Sequence, residues 1–88
     1  MAQHASAKKR ARQALVRRAR NRQVRSALRS SIKNVRGALS SGDTDAAATA
    51  LRDAERQIRR AASKGVLSKK QASRSVARLA RAVHVARA

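Results

Sequence analysis

Arg18, Arg22, Arg25 and Arg29 follow one another at intervals of four, three and four residues, so a helix stacks their guanidinium groups into one ridge. A second ridge runs through Arg74, Arg78, Arg81 and, less closely aligned, Arg87. A guanidinium is planar and always charged, and it pairs with phosphate oxygens bidentately or stacks on a flat ring. Ridges of this kind suit a polyanion. A merely solvated face interleaves both signs, yet no acid occurs between Lys8 and Ser41. Two ridges on different helices point to gripping two segments of polyanion rather than tracking one.

Other chemistry is hard to build. The chain has 4 acids, 2 His and no Cys, which leaves no thiol nucleophile, disulfide framework or zinc ribbon. Asp43 and Asp45 stand at a helix start, where capping and the helix dipole account for them. Asp53 and Glu55 are two residues apart on a helix and do not face each other, so they read as solvated acids. His4 and His84 have no second ligand at metal spacing and no Ser or acid at usable spacing. A non-enzyme with no metal and no cofactor is the expectation.

Composition narrows the class. The chain of 88 residues carries 23 Lys and Arg, 17 of them Arg, for a formal charge of +19. Of its apolar residues 21 are Ala and only 15 are Leu, Ile or Val, so one small domain with a thin core is the most it supports. No apolar run approaches the ~20 residues of a membrane span. Met1-Ala-Gln-His-Ala lacks the apolar stretch of a secretory signal, and a cytoplasmic setting is expected. So large a charge repels itself out of a compact state unless a polyanion balances it, and folding partly coupled to binding follows. With no aromatic residue there is no platform for stacking single-stranded bases. Binding then rests on phosphates, 2′-hydroxyls and the shape of folded duplex regions, with Arg, Asn21 and Gln available for local base contacts.

These residues need helices to hold them. With no Pro and with Ala, Arg, Lys, Leu and Gln dominant, helix is the default throughout. Gly42 stops one helix, with Asp43 or Thr44 starting the next. Lys64-Gly65 stops the second, and Ser68 with Gln71 has capping-box spacing for the third. The spacing predicts helices near 6–40, 43–63 and 68–87, with Ser6 as first cap, a flexible tail over 1–5 and Gly37 tolerated inside the first helix. Apolar stripes run through Val24, Leu28, Ile32, Val35 and Leu39; through Ala47, Leu51, Ala54, Ile58 and Ala61; and through Ala72, Val76, Leu79 and Val83. Short loops make these an all-α, three-helix up-down bundle. The first helix is overlong. Before residue 24 Lys and Arg decorate every side of it, so its N-terminal half projects from the bundle.

The ordered motifs resemble a known family. Ser6-Ala-Lys-Lys-Arg10, Arg20-Asn-Arg-Gln-Val-Arg-Ser-Ala-Leu-Arg29, Ile32-Lys33, Val35-Arg36, Gly42-Asp43, Ala62-Ser-Lys-Gly-Val-Leu67, Ala72-Ser-Arg74 and Arg78-Leu79-Ala80 are similar to motifs of the bacterial small-subunit ribosomal protein numbered twenty, in the same order. The chain departs from that family at Ser68-Lys69-Lys70, usually His-Lys-Asn, and at Gly37. The resemblance implies a three-helix bundle that binds small-subunit ribosomal RNA early in assembly, near the base of the subunit body. There it would brace the 5′ domain against the long penultimate helix.

The candidate RNA-binding set is then Lys8, Lys9, Arg10, Arg12, Arg17, Arg18, Arg20, Asn21, Arg22, Arg25, Ser26, Arg29 and Lys33 on the first helix. Lys64, Lys69, Lys70, Arg74, Arg78 and Arg81 complete it. The expected partner is ribosomal RNA in two or more segments, with other ribosomal proteins at most peripheral, no membrane and no homo-oligomer. A DNA-compacting protein shares the Ala/Lys/Arg composition but more often shows Lys-rich repeats or a Pro-containing tail. A membrane-active cationic peptide would need a Trp/Phe/Leu face that the arm lacks.

Overall fold

A computed structural model describes residues 2–88, with side chains from His4 onward. Three helices run in sequence: α1 (Ala2–Ser40), α2 (Thr44–Ser63) and α3 (Lys69–Arg87). Helix α1 begins at Ala2, not at Ser6. Ala2, Gln3 and Ala5 favour helix and no Gly or Pro interrupts them, so Ser6 lies inside the helix rather than capping it. Of the expected tail over 1–5, Met1 lies outside the described residues.

Both turns are built by the same device. Gly42 (φ 77°) and Gly65 (φ 76°) adopt the left-handed conformation that a side chain disfavours. The Asp43 N–H then donates to Ala38 O at 3.0 Å and the Gly42 N–H to Leu39 O at 3.2 Å. The Val66 N–H reaches Ala61 O at 2.9 Å and the Gly65 N–H Ala62 O at 3.1 Å. These are Schellman pairs, and they satisfy the last carbonyls of α1 and α2. Of the two candidates for the cap of α2, Asp43 takes the role: its Oδ1 accepts from the Ala46 N–H at 3.0 Å. The box at α3 closes as its spacing predicts. Ser68 Oγ accepts from the Gln71 N–H at 3.1 Å, and Gln71 Oε1 accepts from the Ser68 N–H at 3.3 Å.

The turns lay α2 back along α1. The Arg20 side chain reaches Lys64 and that of Ser31 reaches Asp53, so eleven residues forward on α1 match eleven back on α2. Helix α2 is the middle element. It packs against both neighbours, while α1 and α3 touch only sparsely. Three alanines of α2, Ala47, Ala54 and Ala61, are fully buried and let the neighbouring helices approach, with Ile58 and Val35 as the largest fully buried side chains. Val24, Leu28, Leu79, Val83 and Ala72 complete the core; Ile32, Leu39, Leu51 and Val76 pack at its margin. On α1 the buried line passes through Ser31 rather than Ile32.

All of the α1 residues in this core lie from Val24 onward. The 39 residues of α1 span about 58 Å at 1.5 Å per residue, against about 30 Å for α2. The radius of gyration is accordingly 17.6 Å, where a compact chain of this length has about 12 Å. The N-terminal half of α1 stands out from the bundle as an arm, carrying Leu15 and Val16 at 63% and 68% exposure.

Candidate nucleic-acid interface

Helix α1 presents its cations as the spacing requires. Arg18, Asn21, Arg22, Arg25 and Arg29 border one groove along its surface. At 100° per residue this ridge lies about 120° from the buried stripe, and Lys33 and Arg36 extend it through the C-terminal half. Lys8, Lys9, Arg10, Arg12 and Arg17 are exposed around the arm, and Ser26 is exposed beside the ridge. Arg17 Nε donates to the Gln13 carbonyl one turn back, at 3.4 Å.

Helix α3 carries the second ridge on the side opposite its buried Ala72, Leu79 and Val83. Lys70, Arg74, Arg78 and Arg81 are exposed there, and Lys69 is exposed at the start of the helix. Arg87 leaves this ridge. Its helical position turns it toward α2, where its guanidinium lies 4.0 Å from Asp45 Oδ1.

Arg20 is placed differently from its neighbours. Its Nη2 donates to Lys64 O at 3.4 Å and to Asn21 Oδ1 at 3.5 Å. It therefore ties the root of the arm to the α2–α3 turn. A cation beside the last carbonyls of α2 also complements the negative end of that helix dipole. Around this contact Arg20, Gln23, Val24, Ala27, Gln57, Arg60 and Lys64 enclose a hollow of about 250 Å³ between α1 and α2. Sequence reasoning included Arg20 and Lys64 but passed over Arg60, Gln23 and Gln57. Arg60 belongs to the electrically neutral stretch 43–63. Only the antiparallel register, pinned by the Gly42 turn, brings it opposite Gln23.

The charge is left uncompensated. Arg59 lies 3.9 Å from Glu55 Oε2 and Arg87 lies 4.0 Å from Asp45; among the described residues no other Lys or Arg approaches an acid as closely. The acids divide as their positions dictate. Asp43 caps α2, Asp45 and the half-buried Glu55 form these pairs, and Asp53 accepts from Ser31. No described group of three or more His, Asp and Glu converges as a metal site would require, and no described helix is long and apolar enough to cross a membrane.

The arrangement matches a known family over nearly its whole length. The family model "Ribosomal protein S20" matches residues 2–84. The protein named Small ribosomal subunit protein bS20 of Anaeromyxobacter sp. (strain K) is 55% identical over 82 residues, covering 93% of this chain and 90% of the relative. Its namesake in Campylobacter fetus subsp. fetus is 52% identical over 83 residues, 94% of each chain. That of Nitratidesulfovibrio vulgaris (strain DP4) is 50% identical over 84 residues, 96% of this chain and 97% of the relative. A projecting cationic arm, Gly turns at 42 and 65 and identity of this order over this length lead to one conclusion: the chain belongs to the ribosomal protein S20 family.

Proposed function

We propose that this chain is a structural, non-catalytic constituent of the small ribosomal subunit in the cytoplasm, binding small-subunit ribosomal RNA directly. The observation that carries the reading is the unbalanced charge: of the 23 Lys and Arg, only Arg59 and Arg87 have an acid within 4.0 Å among the described residues. Membership of a family whose curated members are named as small-subunit proteins gives that charge its partner. The ridge on α1 and the ridge on α3 sit on different helices that scarcely touch, which suits two RNA segments, one on each flank. The bundle sets the distance and angle between them. The arm enters where RNA helices converge and neutralises their mutual repulsion, and each contact releases condensed counterion. Other ribosomal proteins are peripheral to this role.

Cross-linking the bound protein to small-subunit ribosomal RNA, with sites mapped on both chains, tests the reading. Cross-links are expected on the arm, on the ridge Arg18–Arg29 and on the outer face of α3, to at least two separate RNA segments. Cross-links confined to Thr44–Arg56 of α2, or to one RNA segment, would contradict it.

A further inference from the structure

We propose that the hollow between α1 and α2 at the root of the arm is a phosphate-binding pocket, seating one backbone phosphate of the RNA on Arg20, Arg60 and Lys64, with Gln23 and Gln57 as neutral donors. The inference rests on the RNA-binding reading and adds a site apart from the two ridges. Three observations support it. First, three cations, one from α1 and two from the C-terminal end of α2, converge on one concavity of about 250 Å³, several times the ~30 Å³ that a water molecule occupies in the liquid. Second, no acid lines it. Asp53, on the same face of α2, stands one turn from Gln57, about 6 Å along the axis, and about 10 Å from Arg60; it is engaged by Ser31 rather than by the three cations.

Third, Arg20 is turned toward the end of α2 with part of its guanidinium free. Its Nη2 bridges Lys64 O and Asn21 Oδ1, which leaves Nε and Nη1 without a partner among the described residues. The C-terminal end of α2 opposes an anion with about half a charge. Three full positive charges outweigh that, and the Arg20 bond to Lys64 O partly neutralises it. The Val24 side of the hollow is apolar, so water competes less for the polar groups on its rim.

Filter binding of the full chain to a small-subunit ribosomal RNA transcript across a salt series tests the pocket. Arg60→Gln and Lys64→Gln should each weaken binding roughly three- to tenfold, and the double variant should lower the salt slope by about 0.9, the share of one phosphate. The double variant should lose less than the product of the two, because both side chains serve one phosphate. Arg59→Gln removes the same charge outside the pocket and should change affinity less than twofold. If Arg60→Gln lowers helicity by circular dichroism, Lys64→Gln, in the turn after α2, decides. Wild-type affinity and slope in the pocket variants, or an Arg59→Gln loss equal to that of Arg60→Gln, overturns the pocket and leaves the RNA-binding reading standing. A wild-type chain that does not bind the transcript in a salt-dependent way overturns both.

Discussion

The Ser31 hydroxyl of α1 lies 3.1 Å from Asp53 Oδ2 of α2 and 3.0 Å from the Ala27 carbonyl oxygen. At 4% exposure Ser31 is the one polar residue buried among the described residues. A hydroxyl has one proton to give, and a carboxylate is the stronger acceptor. The contact supports the register that the Gly42 turn sets, where the core, rich in Ala, offers few shapes to interlock. If Asp53 is lost, the hydroxyl still has Ala27, so no donor is orphaned. A double-mutant cycle of Ser31→Ala and Asp53→Ala, read by urea unfolding, should give a coupling of about 0.5–1.5 kcal/mol. A coupling near zero would show that the pair does not hold the register.

Stability and binding should separate by residue. Ile58 is fully buried, and Ile58→Ala should destabilise the bundle by about 2–4 kcal/mol through lost burial and a residual cavity. Arg22 and Arg25 are exposed on the ridge, so Arg22→Ala or Arg25→Ala should leave unfolding nearly unchanged. Each should instead weaken RNA binding and lower its salt slope by about 0.9. Paired urea melts and gel shifts check both halves.

The three glycines should respond in opposite directions. A Cβ at Gly37 meets nothing within 4 Å, and the residue sits inside α1, so Gly37→Ala should stabilise by about 0.5–1 kcal/mol. Gly42 and Gly65 also have open space but carry φ of 77° and 76°, so Ala at either should destabilise by roughly 1 kcal/mol. Thermal unfolding of the three variants distinguishes backbone conformation from crowding.

The arm should be helical only with its partner. Among the described side chains His4–Arg18 contributes nothing to the core cluster, and the helix lacks an acid in its first turn and sets Lys8 near Arg12, a like-charge pair one turn apart. Cations near a helix N-terminus also oppose the dipole. Circular dichroism of the free chain at low salt should therefore fall short of the helicity of three full helices by about the length of the arm, and RNA should restore it. Full helicity without RNA, lost in one cooperative transition, would contradict coupled folding.

The three helices, the caps of α2 and α3 and both ridges were legible in the sequence because each is a local matter. Gly42 and Gly65 announce their turns, Ser68 and Gln71 their box, and the arginine spacing its ridge. What escaped was set by register. Ser31 reads as an ordinary helix serine until its partner on α2 is known. Arg60 reads as one of four arginines in a neutral stretch until α2 folds back beside Gln23. Arg87, the last Arg of α3, is a local exception: its helical angle departs from that of Arg74, Arg78 and Arg81 and turns it toward Asp45. The first helix starts at Ala2 rather than at Ser6, because an uninterrupted run of helix formers outweighs the capping preference of a single Ser.

Competition between ribosomal RNA and duplex DNA tests the central claim most directly. In filter binding at about 0.15 M salt, a small-subunit ribosomal RNA fragment should bind at least tenfold more tightly than duplex DNA of equal length, because ridges on two helices that scarcely touch would grip two segments of a folded RNA at once. Equal affinity for the two would mean that the +19 charge recognises any polyanion, as a DNA-compacting protein does, and the account of a folded-RNA brace would be wrong.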